Sequence, residues 1–393
     1  MVGKRVRQIG KALKRAIAPL RYRLALMATR AGGKRPLRLL LITDGAAYTS
    51  EQQLAPFTRY ATLLRQRLGL VTRHIGVERG QKLSPMALGR YDLIGLKFSF
   101  RASKESVHAL ARKICAAVDG SPTQLVYFDG DDNLNVMWPE LTELCDRYIK
   151  KHAYRDHADY GVARIGKTNL TDYVARTTER SFADDPFPST APVARAVADK
   201  VQVGWNIGLD DKIAVLAARM PKPSHDARPL DVCSRAFTPP TTWIHALRDP
   251  VATTLETMGS TMNVLVPRNR VAQEEYYREM QTSKICVSPF GYGEICWRDF
   301  EAILCGCLLV KPDMRHVETA PDIFIPRITY VPVKWDYSDL PEVCAHYLAH
   351  PEERQRIVDR AYAVVMESQT AEWFVERFEA VMMKSADRVA IHT

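Results

Sequence analysis

Apolar runs of β type alternate with helically spaced segments over most of this chain, and that alternation limits the fold more than any other feature. LRLLLITDG (ending at 45), LVTRHIGV (70–77), YDLIGLKFSF (91–100) and TQLVYFDGDD (123–132) read as strands buried on both faces, with helical spacing over 51–68 and 103–118 between them. Strands that are apolar throughout, each handed on to a helix, call for a parallel sheet covered on both sides. At 393 residues, 46% hydrophobic and 25% charged, the chain is long enough for two such domains and is neither disordered nor fibrous in composition.

The pattern weakens from about 153 to 228, where RSFADDPFPSTAPVARAVADK is rich in Pro, Ser and Asp and reads as a linker or excursion. A second alternating set follows. Strands are expected in PLDVCSRAF (229–237), TMNVLVP (261–267), KICVSP (284–289) and CLLVKP (307–312), and helices near 241–258, 271–282 and 294–305. The last sixty residues carry helical stretches at 341–349, 351–366 and 371–383, the last with an apolar stripe through Trp373, Phe374, Phe378 and Val381. Doubly wound sheets bind ligands at the carboxyl ends of their strands, and two of them joined by a linker set those ends across a cleft. The expected division is an arm at 1–35, an acceptor domain with linker at 36–228, a nucleotide-binding domain at 229–370, and a terminal helix at 371–393 bracing the two.

The formal charge of +10 is concentrated at one end: residues 1–35 hold eleven of the 55 basic residues and no acid, leaving 44 against 45 acidic residues afterwards. A body this near to neutral, without an aromatic-basic patch, gives the expectation of no nucleic-acid partner. Within the arm, Val2, Val6, Ile9, Leu13, Ile17, Leu20, Leu24 and Met27 recur at spacings of three and four, so a helix there has one apolar stripe and a basic remainder. That pattern suits residues 1–33 lying in an anionic membrane surface, giving a peripheral location on the cytoplasmic face. An Arg-rich, acid-free start also suits an organelle transit peptide or a solvated tail. The eight cysteines form no CxxC pair, which points to a reducing compartment and no structural zinc, with Cys305 and Cys307 as packing residues.

SPFGYGEICWRDFEAILCGCLLVKPD (288–313) places a glycine loop between an apolar strand and a helix. Gly291 and Gly293 let a backbone approach a ligand and adopt positive φ, and a helix start offers N–H groups to a phosphate. Arg298 lies one turn before Glu301, so the two side chains emerge on one face. An Arg there clamps a pyrophosphate, while a carboxylate accepts two ribose hydroxyls. The alternative is an i, i+3 ion pair on a solvated face, against which Cys296, Phe300 and AILCGCLLV leave little of the segment for water.

TSKICVSPFGYGEICWRDFEAILCGCLLVKPDM resembles the donor-binding segment of GT-B glycosyltransferases of the exostosin-like and bacterial group 1 families. The resemblance covers about thirty-five residues and implies an α/β fold of two Rossmann-like doubly wound domains facing a cleft, here with the basic amphipathic N-terminal helix added. It implies a sugar moved from a nucleotide-diphosphate donor to a hydroxyl of a glycan or lipid-linked acceptor, with no cofactor or metal required. By position, Glu301 matches the glutamate that holds the donor ribose and Arg298 the basic residue facing the diphosphate. A further glutamate of many retaining members would fall on Gly293; Glu294 is one place off. Arg235, after a strand, joins Gly291, Gly293, Glu294, Arg298 and Glu301 as a donor-binding candidate, and Asp313 and His316 follow another strand.

FDGDDN (128–133) ends a first-domain strand with three carboxylates in four positions. It reads as a metal-holding D-x-D of the GT-A kind using Asp129 and Asp131, as an acidic turn capped by Asp132 or Asn133, or as a cleft edge from which Asp129 or Asp131 serves the acceptor. Asp44, at the end of the first strand, is a candidate general base, and Lys97 ends the third strand. His152 and His157 lack matched ligand spacing and read as structural. A non-catalytic nucleotide-binding regulator is the reading outside the enzyme class.

Overall fold

The computed structural model describes residues 2–45, 51–182, 191–223, 228–235 and 238–383, with side chains from residue 17 onward. The chain divides into two compact units, one of Met1–Gly130, Trp138–Ile149 and Ala371–Thr393, the other of Asp131–Met137 and Lys150–Thr370.

The first unit is built on β1 (Leu37–Thr43), β2 (Leu70–Gly76), β3 (Leu93–Lys97), β4 (Gln124–Asp129) and β5 (Arg147–Lys150), side by side in the order β2-β1-β3-β4-β5. The β1–β2, β1–β3 and β3–β4 pairs are parallel. Leu39, Leu40, Leu41 and Ile42 of β1 are all fully buried, as a central strand covered on both faces requires. The terminal helix Ala371–Met382 belongs to this unit, because Phe374 and Phe378 set their rings edge-on to Phe57 at 5.6 and 5.7 Å.

In the N-terminal helix Val2–Ala31, Tyr22 meets Tyr91 at 6.5 Å, the Arg73 guanidinium lies over the Tyr22 ring, and Thr29 is buried. These residues dock the C-terminal half. Leu20, Leu24 and Met27 stay 59, 54 and 65% exposed. The side chains of Val2, Val6, Ile9 and Leu13 lie outside the described residues.

The second unit contains β6 (His152–Tyr154), β7 (Val201–Val203), β8 (Leu230–Cys233), β9 (Val264–Leu265), β10 (Ser283–Val287), β11 (Leu308–Pro312), β12 (Val317–Thr319) and β13 (Val331–Val333). Its main sheet is parallel in the order β13-β11-β10-β8-β9, around a core that includes Val232, Ile285, Val287, Leu308 and Val310. Counting each unit's own strands from its first, both sheets run second, first, third, fourth, fifth. That order reverses direction between the first and third strands, the point where α/β sheets leave a crevice for ligands. The crevices fall between β1 and β3 in one unit and between β8 and β10 in the other.

The boundary expected at 228 is corrected, for 150–228 packs with the second unit. The reason is β6, which pairs antiparallel with β12, Tyr154 opposite Val317. Nor is this stretch a plain linker. It holds the helix Asn169–Thr177, started by a Thr168 capping box, and the helix Asp211–Arg219; residues 183–190 and 224–227 lie outside the described residues. Its elements are short and fixed by capping and pairing, so no sustained hydrophobic period marks them.

Candidate active site

Two guanidiniums meet at the β8–β10 crevice. Arg298, on the helix Trp297–Leu304 that follows β10, is 8% exposed. It donates from Nε to Ser288 Oγ (3.1 Å), from Nη1 to the Arg235 carbonyl (2.7 Å) and from Nη2 to the Pro289 carbonyl (3.3 Å). Arg248, half-buried on the helix Trp243–Met258 that follows β8, donates from Nε to the Phe290 carbonyl at 2.8 Å. Burial, then the like charge of Arg298, pulls the Arg248 guanidinium down to about 10. Among the described residues neither arginine forms an ion pair. Two neighbouring buried cations answered only by neutral oxygens form a standing demand for an anion.

The loop between them is shaped by contact rather than by left-handed backbone. Gly291 and Gly293 do not have positive φ, contrary to the expectation; what they supply is room. A Cβ on Gly291 would stand 3.2 Å from Arg248 Nη2, and one on Gly293 would stand 1.5 Å from the Asp132 carbonyl oxygen. The expectation of free N–H groups at the helix start is also corrected. Asp299 Oδ2 accepts from the Cys296 N–H at 2.8 Å, and Cys296 Sγ caps in return. With that start closed, the arginines supply the donors for an anion. Beneath the loop, buried Asp299 Oδ1 accepts from Ser288 Oγ at 2.5 Å and from Lys311 Nζ at 3.1 Å, and Ser234 Oγ ties β8 to the Val287 carbonyl at 2.9 Å. Lys311, Asp299, Ser288 and Arg298 thus form one chain of bonds.

Glu301 is buried, and its carboxylate accepts from Tyr276 Oη (3.1 Å), Tyr277 Oη (3.2 Å) and Lys212 Nζ (2.7 Å). Burial, then the Glu301 charge, pushes both phenols up, so at neutral pH they remain donors. Glu294 is fully buried; Oε1 accepts from Asn169 Nδ2 at 2.7 Å, and His316 Nε2 is 3.7 Å away. Arg235 does not point at a ligand: its side chain forms a two-pronged ion pair with Glu279 and donates to the Asn269 carbonyl. Asp313 holds Arg315.

The three carboxylates expected to be catalytic are not brought together. Asp44 Oδ2 accepts from the Ser99 N–H at 2.7 Å, tying the end of β1 to the chain after β3. Asp129, 1% exposed, accepts from Tyr148 Oη at 2.7 Å, and burial, then Asp129, pushes that phenol well up. Asp131 belongs to the second unit, where it meets Asn133 Nδ2 at 2.5 Å and Lys167 Nζ at 3.4 Å. Asp129 and Asp131 thus face different partners, which does not fit the D-x-D metal reading. Lys97, at the end of β3, is buried. His152 Nε2 lies 3.0 Å from the Asp132 carbonyl, and His157 stacks on Tyr160.

Residues missed by the sequence reading are Arg248, Ser288, Asp299 and Lys311. Lys311 could have been found, as the one cation in an apolar strand.

With the site described, comparison with known proteins supplies its class. Residues 242–380 match the family model described as glycosyl transferase-like. The second unit therefore carries a glycosyl transferase-like domain, and the protein is a glycosyltransferase. No curated protein matches the sequence. Solved structures of similar outline include a glycosyltransferase from Rickettsia africae ESF-5 (10% identity, TM-score 0.48, covering 90% of this chain and 100% of that one). An α-glucosyltransferase in complex with UDP-glucose and DNA containing an abasic site has 12% identity and a TM-score of 0.47, covering 88% and 100%. An α,α-trehalose-phosphate synthase from Burkholderia vietnamiensis has 13% identity and a TM-score of 0.40, covering 87% and 99%. The expected absence of a nucleic-acid partner is withdrawn, since the α-glucosyltransferase of similar outline is held with DNA.

Asp299→Asn leaves Lys311 as a buried uncompensated cation, so it should destabilise the protein by about 3 to 5 kcal/mol, the cost of breaking a buried pair. Urea denaturation checks this, and Asp299→Asn with Lys311→Met should recover part of the loss.

Proposed function

We propose that the protein transfers a sugar from a nucleotide-diphosphate donor, held in the β8–β10 crevice, to a hydroxyl of a glycan or lipid-linked acceptor in polysaccharide synthesis. The observation that carries this is the pair Arg248 and Arg298, two guanidiniums without a carboxylate partner among the described residues, at the switch point of a parallel sheet. A diphosphate supplies the charge they lack, and each planar fork matches its oxygens. As the bond to the sugar breaks, negative charge grows on the departing diphosphate, and donors already fixed in place stabilise it without reorganising. Glu301, its oxygens set by Tyr276 and Tyr277, is assigned to the ribose.

A panel of nucleotide sugars, read by thermal stabilisation and slow hydrolysis, tests this. A UDP- or GDP-sugar should bind, and Arg248→Ala, Arg298→Ala and Glu301→Ala should each weaken it by about 1.5 to 3 kcal/mol, the scale of a hydrogen bond to a charged group. Binding without sugar loss from any donor would favour a regulator, and no binding would remove the proposal.

We further propose a peripheral location on an anionic, cytoplasmic membrane face. Supporting this, the helix Val2–Ala31 docks through Tyr22 and Thr29, which leaves Leu20, Leu24 and Met27 exposed beside Arg21, Arg23 and Arg30. Among the described residues no helix is long and apolar enough to cross a membrane. The full chain should float with phosphatidylglycerol vesicles and lose that on deletion of 1–33; equal flotation of both forms would end the idea.

A further inference from the structure

The acidic turn at 131–137 is absorbed neither by a metal nor by the donor contacts, yet it lies directly against the glycine loop. Gly293 packs on the Asp132–Asn133 peptide so closely that a Cβ there would stand 1.5 Å from the Asp132 oxygen, 2.4 Å from its carbon and 3.2 Å from the Asn133 nitrogen. The peptide that Gly293 touches is itself fixed from both sides. Asp132 Oδ1 accepts from Lys151 Nζ at 2.5 Å, with the Lys151 side chain 2% exposed, and the Asp132 carbonyl lies 3.0 Å from His152 Nε2. Both partners come from the chain at β6. The rest of the turn is pinned in the same manner: Lys150 Nζ donates to the Asn135 carbonyl at 2.7 Å, and Lys167 holds Asp131.

We propose that Asp132 and Lys151 are positioning residues for the donor, an ion-pair clamp that sets the height of the Gly291–Glu294 loop and so the place of the Phe290 carbonyl that orients Arg248. This rests on the donor reading above. The clamp acts by packing, since Gly293 has no side chain to bend away and the Asp132 peptide cannot retreat from Lys151 and His152. A displacement of the turn passes straight into the loop. Three carboxylates in four residues are therefore used here to hold lysines, and the lysines hold a backbone.

The test separates positioning from stability. UDP is titrated calorimetrically into the wild type, Arg298→Ala, Asp132→Asn, and Asp132→Asn with Lys151→Met, and each melting temperature is recorded. Asp132→Asn leaves a buried ammonium without its partner and should lower the melting temperature; the double variant removes both charges and should recover it. UDP affinity should stay about tenfold weaker in both, the equivalent of one well-placed charged hydrogen bond. Affinity that returns with the melting temperature would show a merely structural role and overturn the clamp. Loss of UDP by Arg298→Ala alone, with both Asp132 variants binding as wild type, would leave the donor reading standing and sink the clamp. A wild type that binds neither UDP nor GDP would overturn the donor reading and the clamp with it.

Discussion

Two arginine side chains buried close together, with only neutral oxygens to receive their hydrogen bonds, are the arrangement on which this structure turns. Such a pair is electrostatically unfavourable by itself: desolvation disfavours each charge and each charge disfavours the other, as the depressed Arg248 guanidinium records. A fold keeps such a pair when a bound anion answers it or when the surrounding network permits no retreat. Here the network is specific. Arg298 is held by Ser288, Pro289 and Arg235, and Arg248 by Phe290, all but one of these contacts being backbone carbonyls at the carboxyl ends of β8 and β10.

Strand order explains why those carbonyls converge. When the second strand of a parallel sheet lies on one side of the first and the third on the other, the connections depart in opposite directions and leave a gap at the strand ends. The helix after β8 brings Arg248 to that gap from one side, and the helix after β10 brings Arg298 from the other. Lys311 and Asp299, both fully buried, then lock Ser288 beneath. Preorganisation of this kind lets donors stabilise charge as it develops, because none of them has to move.

Much of this was legible in the sequence, for identifiable reasons. The strands at 70–77 and 284–289 and the helices near 103–118 and 241–258 announced themselves because a strand buried on both faces is apolar throughout and a covering helix carries a stripe. Arg298 and Glu301 stood out because charge inside an apolar run is costly unless used. What escaped notice depended on contacts distant in sequence. Arg248 is one arginine in a helix, and only the meeting of β8 with β10 brings it to Phe290. Arg235 seemed free until Glu279, 44 residues away, took its guanidinium. The stretch 150–228 read as a linker because its short elements are fixed by β12 and by caps, neither of which leaves a period. FDGDDN looked like a metal motif because composition cannot reveal that lysines at 151 and 167 fold back onto it.

The central claim is that the buried arginine pair receives a diphosphate. The most direct measurement is a crystal structure of the protein with UDP bound. The account predicts phosphate oxygens within hydrogen-bonding distance, about 2.7 to 2.9 Å, of both the Arg248 and Arg298 guanidiniums, with the uridine ribose at Glu301. UDP seated elsewhere, or bound while both guanidiniums still contact only Ser288 and the loop carbonyls, would contradict it.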